Sequence, residues 1–244
     1  MNNSNIKVAV ETHSHTLASG HAYCTIKEMV AYAAEHGLEA IAITDHAPEM
    51  PGSCHKFYFH NIKIMPRKMN GIDVLFGSEV NIMDENGRVD LHEKVLEELD
   101  LVIASIHPPC YGDSKGKELN TQAMINVMKN PRIDIIGHPD DGRFEVDYEK
   151  IVNVAKETGT LLEINNSSLR PGGFRKDTCE NARKILTLCK EKEVMVVLGS
   201  DAHVDVEIAD TYYSTKVIRE VDFPEELIAN TSLQKLKNCL KRNK

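Results

Sequence analysis

The stretch Lys7-Val8-Ala9-Val10-Glu11-Thr12-His13-Ser14-His15-Thr16-Leu17-Ala18-Ser19-Gly20-His21 decides how the rest of the chain reads. An apolar run, Val8-Ala9-Val10, leads into His13-Ser14-His15, and His21 follows six residues on. Residues two apart in extended chain share a face, so His13 and His15 project together from a strand end, spaced to share one metal ion. A lone His-x-His pair is weak evidence. Its weight comes from repetition of the theme along the chain.

Working outward, six further apolar runs each end on polar residues. Ala40–Thr44 leads to Asp45-His46, Asp73–Gly77 to Ser78-Glu79, and Leu101–Ile106 to His107-Pro108. Ile133–Gly137 leads to His138-Pro139, Thr160–Ile164 to Asn165-Asn166-Ser167-Ser168, and Val194–Leu198 through Gly199-Ser200 to Asp201-Ala202-His203. Such near-continuous Val/Ile/Leu runs, separated by helical stretches, mark parallel strands buried on both faces. The spacing predicts helices from Thr25 (with Glu28 completing a capping box and Gly37 as stop), over 57–70 with an internal proline, and over 91–99 and 120–129. More follow over 147–158 and 176–192, with two on either side of Pro224. A Glu-Asn-Gly turn predicts a small hairpin within 80–90. Seven β/α units in one α/β domain, residues 1–244, predict a closed or nearly closed seven-stranded (β/α)7 TIM-like barrel. All strand ends would then meet at one mouth. A doubly wound open sheet is the alternative, but it gathers residues only at its switch point.

The chain of 244 residues carries 37 acidic against 29 basic residues, a formal charge of −8, which disfavours a surface for long nucleic acid. No apolar stretch is long enough to span a membrane, and the N-terminus lacks the layout of a signal peptide. Six scattered cysteines with no C-x-x-C pair read as reduced thiols. The expectation is a soluble cytoplasmic protein.

At the predicted strand ends and first loop stand His13, His15, His21, His46, Glu79, His107, His138, Asp201 and His203. Seven of the eleven histidines thus fall at these places. Nine N/O donors at one mouth are best explained as metal ligands, and they exceed what a single ion uses, so two or three ions fit. Imidazole suits zinc, iron, copper and nickel, and carboxylate suits harder ions such as manganese. Closely spaced metals point to metal-assisted hydrolysis. Ser14, Ser78, Ser105 and Ser200 lie outside any G-x-S-x-G elbow and read as spacers. Glu11, Thr44, Asp45 and Asn165 are candidate partners for the second ring nitrogens. Arg170, Arg175 and Lys176, after the sixth run, and Arg143, after the fifth, are on the correct side to grip a phosphate. Lys115 and Lys117 read as solvent-facing.

Thr44-Asp45-His46, Gly77-Ser78-Glu79, Ile106-His107, Gly137-His138-Pro139 and Gly199-Ser200-Asp201-Ala202-His203, with the opening His13-x-His15, resemble the PHP (polymerase and histidinol phosphatase) family. Ala18–Tyr23, Asn120–Ile125, Glu163–Ser168 and Val221–Pro224 resemble its YcdX-type phosphatase branch. The resemblance implies a distorted seven-stranded barrel with a trinuclear centre, three zinc ions per chain, with manganese or iron as alternatives. His13, His15, Glu79 and Asp201 would hold the first metal. Glu79, as a bridge, would hold the second with His107 and His138, and His21, His46 and His203 the third. A hydroxide bridging the metals would attack phosphorus. Glu11 departs from the aspartate more usual in the family at that place. A homotrimer is also implied.

The reading is therefore a metal-dependent phosphatase of a small phosphorylated metabolite. The alternatives are a phosphodiesterase or nuclease acting on short nucleotides, a C–N hydrolase, and a non-catalytic metal-binding structural domain. Histidinol phosphate is the less favoured substrate, because the narrower resemblance lies in the other branch.

Overall fold

The computed structural model describes residues 6–243. In chain order come β1 (Val10–Glu11), α1 (Ile26–Glu35), β2 (Ala40–Ile43), α2 (Phe57–Asn61), β3 (Lys68–Met69), β4 (Ile72–Asn81), α3 (Glu93–Glu98) and β5 (Leu101–Ser105). Next are α4 (Pro108–Tyr111), α5 (Lys117–Met128), β6 (Ile135–Ile136), α6 (Tyr148–Thr158), β7 (Leu161–Asn165), α7 (Thr178–Lys192), β8 (Val196–Gly199), α8 (Tyr212–Glu220) and α9 (Leu233–Cys239). Seven parallel strands pair in the order β1-β2-β4-β5-β6-β7-β8, with short β3 antiparallel to β4. This is the nearly closed α/β barrel expected from the runs.

Two hydrophobic layers follow from the period-two strand pattern. Ala40, Ala42, Leu75, Leu101, Ile103, Ile135, Leu161 and Val197 fill the lumen. Their strand neighbours Ile41, Ile43, Val74, Phe76, Val102, Ile136, Leu162 and Leu198 face outward, packed with helix residues such as Met29, Met124, Ile151 and Ile185. Small Ala40 and Ala42 inside, with branched Ile41 and Ile43 outside, give β2 its sidedness. Thr25 and Glu28 cap α1 reciprocally as the spacing predicts, and Gly159 ends α6 in the left-handed conformation.

The helix expected over 57–70 stops early. After α2 the chain makes one 3-10 turn (Ile62–Ile64), and Met65, ahead of Pro66, is extended (φ −71°, ψ 138°). A residue before proline is pushed out of helix, and proline has no N–H to continue one. Asn70 (φ 48°) and Gly71 (φ 86°) then turn β3 into β4 as a tight hairpin. The first strand is also shorter than the expected Ile6–Glu11: only Val10 and Glu11 pair with β2. The 80–90 hairpin is present as the antiparallel bridge between Ile82 and Val89.

Barrel closure between β1 and β8 uses little backbone. A parallel bridge joins Ser14 to Ala202, carried by His15 N–H to the Ala202 carbonyl (2.8 Å) and Ala202 N–H to the His13 carbonyl (3.3 Å). Deeper in the seam, the fully buried Asn230 acts as a wedge. Its Nδ2 donates to the carbonyls of Val10 (2.9 Å) and Leu198 (2.7 Å), and its Oδ1 accepts from Leu198 N–H (3.1 Å). One side chain thus pairs groups that a continuous ladder would have paired. Beneath it Ala229, Leu236 and Leu240 plug the lumen. Cys24, Cys54, Cys110, Cys179 and Cys189 form no disulfide, and among the described residues no helix is long and apolar enough to cross a membrane.

Asn230→Ala leaves buried carbonyls and an N–H unpaired, so it is expected to lower unfolding free energy by roughly 2–4 kcal/mol in urea titration. A change under about 0.5 kcal/mol would show that β1 and β8 close without it.

Candidate metal centre

Each strand carries its inward face from hydrocarbon to polar groups. On alternate residues Ala9 gives way to Glu11, His13 and His15, and Ala42 to Thr44 and His46. In the same way Leu75 gives way to Gly77, Glu79 and Asn81, Ile103 to Ser105 and His107, Leu161 to Glu163 and Asn165, and Val197 to Gly199, Asp201 and His203. The lower half of the barrel packs as core while the upper half lines the mouth. His138 is out of step with inward-facing Ile135. Its backbone takes a left-handed turn (φ 30°), as does that of Asp201 (φ 58°). Non-glycine residues hold such angles at a cost of about 1–3 kcal/mol, where the surroundings fix them.

Glu79 lies at the centre, with no exposure. Its Oε1 is 3.0 Å from His138 Nε2 and 3.2 Å from His107 Nε2. Its Oε2 faces a second group: His46 Nδ1 at 2.8 Å, His13 Nε2 at 3.4 Å and His15 Nε2 at 3.6 Å. Asp201 Oδ1 stands 3.3 Å from His15 Nε2 and 3.5 Å from His13 Nε2. His21 completes the outer edge, its ring 5.0 Å from that of His46 and 4.9 Å from that of His203. All nine anticipated donors therefore come to one mouth. Three sets have donor atoms mutually within 4.8 Å: His13, His15, Glu79; His46, Glu79, His107; and His15, His46, His203. His46 belongs to two sets, turned toward Glu79 rather than solely toward His21 and His203.

The donor chemistry fits divalent metal ions. Buried His13 Nε2, His15 Nε2, His46 Nδ1 and Glu79 Oε2 lack a protein hydrogen bond, a costly condition that ligation relieves. Burial and the neighbouring His46 and His203 push His15 well below the ordinary histidine range, and burial also lowers His107, favouring the neutral form that ligates. Burial opposes ionisation of Glu79, but His107, His13 and His46 outweigh it and hold the carboxyl well below the usual range. At His13, burial opposes the charge, yet Glu163, Asp201 and Glu79 together raise the imidazole well above its ordinary value. Positive charge is favoured at this place, and a divalent cation would supply it in exchange for a proton.

The ring partners differ from those expected. His13 Nδ1 meets Glu163 Oε1 at 2.7 Å, His107 Nδ1 meets Asn81 Oδ1 at 2.7 Å, and His203 Nδ1 meets the Asp201 carbonyl at 2.9 Å. His15 Nδ1 meets Ser19 Oγ at 3.0 Å, and Ser19 donates to Asp45 Oδ1 at 2.7 Å. Asp45 thus acts one step removed. Glu11 instead accepts backbone N–H groups of Thr12, His13, Ser200 and Ala209, tying the first mouth loop to the last. Thr44 serves the backbone of Ser14, and Asn165 donates to Glu163 and Asp201. Glu163 also accepts the N–H of His138 (2.8 Å), so one carboxylate contacts histidines that follow two different strands. A Cβ at Gly199 would lie 2.1 Å from Glu163 Oε1 and 2.9 Å from His13 Cβ, so glycine permits that contact. The overlooked signal was a charge, Glu163, inside the apolar run Leu161-Leu162-Glu163-Ile164. Asn81, two residues beyond Glu79 on the same face, was legible in the same way.

Above the donors opens a cavity of about 570 Å³, lined among others by Arg175, Arg143, His107 and His203. The Arg175 side chain is only 8% exposed; it holds Asp201 Oδ2 (3.2 Å) and Ser168 Oγ (3.0 Å). Arg170 is directed elsewhere, its guanidinium paired with Glu207 (2.7 Å) and Asp210 (3.3 Å). Of the two arginines, Arg175 alone is among the cavity's lining residues.

Residues 11–169 match the family model of the PHP domain. The chain is 46% identical over 239 residues to a probable phosphatase of Thermoanaerobacter sp. (strain X514), covering 98% of this chain and 97% of that one. It is 49% identical over 225 residues to a probable phosphatase of Caldicellulosiruptor saccharolyticus, covering 92% of each. Among solved structures it is similar to the histidinol phosphate phosphatase of Lactococcus lactis subsp. lactis Il1403, complexed with zinc, L-histidinol and phosphate. That likeness has a TM-score of 0.61 at 19% identity, over 89% of this chain and 95% of that one.

Glu163→Gln keeps the shape of the side chain but removes the charge that orients His13. Zinc affinity, measured by competition with a chromophoric chelator, is expected to fall about 10–100-fold. Unchanged affinity would assign Glu163 a purely structural part.

Proposed function

The chain belongs to the PHP domain family, and from that premise we propose that it is a metal-dependent phosphatase hydrolysing a small phosphomonoester. The observation that carries this reading is Glu79, whose two oxygens face separate groups of imidazoles. A carboxylate so placed is suited to bridge two metals. We assign His13, His15, Glu79 and Asp201 to a first ion, Glu79, His107 and His138 to a second, and His21, His46 and His203 to a third. Zinc is the favoured metal, with manganese or iron as substitutes for a mixed imidazole and carboxylate set. Bound there, the metals supply Lewis acidity toward a phosphoryl oxygen and make hydroxide available at neutral pH.

The chain's own groups do the rest. Burial of the donors at the barrel mouth excludes bulk water, which strengthens each charge interaction around the phosphoryl group. Glu163, Ser19 and Asn81 hold the rings of His13, His15 and His107 in the orientations that point their other nitrogens inward. Arg175, fixed by Asp201 and Ser168, has an Nε without a protein hydrogen bond and borders the cavity. We assign it to a phosphoryl oxygen, as a charge-assisted donor, and assign no substrate contact to Arg170. Residues 1–244 are taken as one barrel domain, because the strands run from Val10 to Gly199 and the segment near Asn230 returns to the β1–β8 seam. The acidic chain, with charge −8, suits a small phosphorylated metabolite rather than long nucleic acid.

Metal analysis paired with hydrolysis of p-nitrophenyl phosphate and bis-p-nitrophenyl phosphate tests this reading. Two to three metals per chain and faster monoester cleavage are expected. Preferred diester cleavage would move the assignment to a phosphodiesterase, and failure to take up zinc, manganese or iron would overturn it.

Chelator treatment is expected to abolish hydrolysis, and added zinc to restore it. His15→Ala and Asp201→Ala are expected to abolish it in folded protein, checked by circular dichroism. Arg175→Ala is expected to lower kcat/KM about 100-fold, while Arg170→Ala, which loses only exposed ion pairs, stays within about threefold.

A further inference from the structure

The cavity above the donors has a wall whose chemistry is unlike its floor. The floor is imidazole, carboxylate and Arg175. Much of the wall is hydrocarbon from three separate segments: Met50 after β2, Pro108 and Pro109 at the start of α4, and Phe174 directly before Arg175. Phe174 is 71% exposed, so its ring is open to whatever enters the cavity. It is held rather than loose: the guanidinium carbons of Arg143 and Arg175 lie 4.8 Å and 5.2 Å from its ring centre.

The wall also carries Arg143, Ser167 and Glu207, and the two charged groups among them are paired with residues behind the wall. Arg143 binds Asp141 through contacts of 2.6–3.0 Å, and Glu207 binds Arg170 at 2.7 Å. A polyhydroxylated alcohol laid along Met50, Pro108, Pro109 and Phe174 would set hydroxyls against hydrocarbon and lose hydrogen bonds to water there. An uncharged apolar group would instead cover Phe174 and release water from both surfaces.

Resting on the phosphatase reading, we propose that the substrate is a phosphomonoester whose alcohol portion carries an uncharged apolar group, an aryl or comparable ring. Phe174, Pro108, Pro109 and Met50 select it while the phosphate lies toward Arg175. Phe174 and Arg175 are adjacent in sequence, so the ring-bearing part of the alcohol sits within a few bonds of the ester oxygen. A sugar phosphate is a poor substrate for this mouth.

The test compares 3-phenylpropyl phosphate with glycerol 3-phosphate on the zinc-loaded protein. Both are primary alkyl esters, so leaving-group acidity does not decide between them. The phenylpropyl ester is expected to show about tenfold higher kcat/KM, chiefly through a lower KM. Phe174→Ala is expected to cut that preference at least about threefold, and Phe174→Leu to retain most of it. Phe174 lies on the surface, so its variants keep the fold. Equal turnover of the two esters, or an equal loss for both in Phe174→Ala, overturns the selection by Phe174 and leaves the phosphatase standing. Hydrolysis of p-nitrophenyl phosphate but of neither ester overturns this inference alone, and hydrolysis of none of the three, with zinc, manganese or iron confirmed bound, overturns the phosphatase reading with it.

Discussion

A single buried carboxylate, Glu79, governs the electrostatics of the mouth. Moving an ionised group into a closed interior costs several kcal/mol unless opposite charge or good hydrogen bonds answer it. Here imidazoles from four other strands surround it: His13 and His15 from β1, His46 from β2, His107 from β5 and His138 from β6. The same negative field that draws in these rings favours a cation among them. At His13, the nearby Glu163, Asp201 and Glu79 favour positive charge. The arrangement leaves buried His13 Nε2, His15 Nε2, His46 Nδ1 and Glu79 Oε2 without hydrogen bonds, a condition that a cation would relieve.

Such a cluster needs rigid support, since displacements of a fraction of an ångström change what a donor can reach. The barrel supplies it in two layers. Below, the lumen core and the Asn230 wedge fix β1 against β8. Above, buried carboxylates hold backbone and rings: Glu11 gathers four N–H groups, Asp45 steadies Thr16 and Ser19, and Glu163 spans His13 and His138. The positive φ at His138 and Asp201 belongs to the same construction, because those turns bring a side chain inward where the regular alternation fails or ends.

The mouth divides its labour. Charged groups and imidazoles occupy the floor, where exclusion of water strengthens their interactions, and segments after different strands build the wall. Floor and wall are joined at Phe174-Arg175 and at His107-Pro108, where an apolar residue adjoins one of the polar floor. The polar floor and the apolar wall therefore reside on neighbouring residues but rest on different physics.

Much of this was legible in the one-dimensional pattern. Seven apolar runs with polar ends specified a parallel barrel and its chemical mouth, because burial on both faces and a period of two leave a local imprint. The nine donors could be read from type and position alone. Pro66 and Asn70-Gly71 carried local signals for a hairpin where helix was expected, masked by the apolar residues around them. What only the tertiary structure decided were the partnerships. Period two tells which face a side chain occupies, not what stands opposite. The pairing of His13 with Glu163, 150 residues apart, and of Val10 with Asn230, 220 apart, depends on how distant segments close the ring. So does the divergence of Arg170 and Arg175: five residues apart on one loop, one is drawn to Glu207 and Asp210 and the other to Asp201.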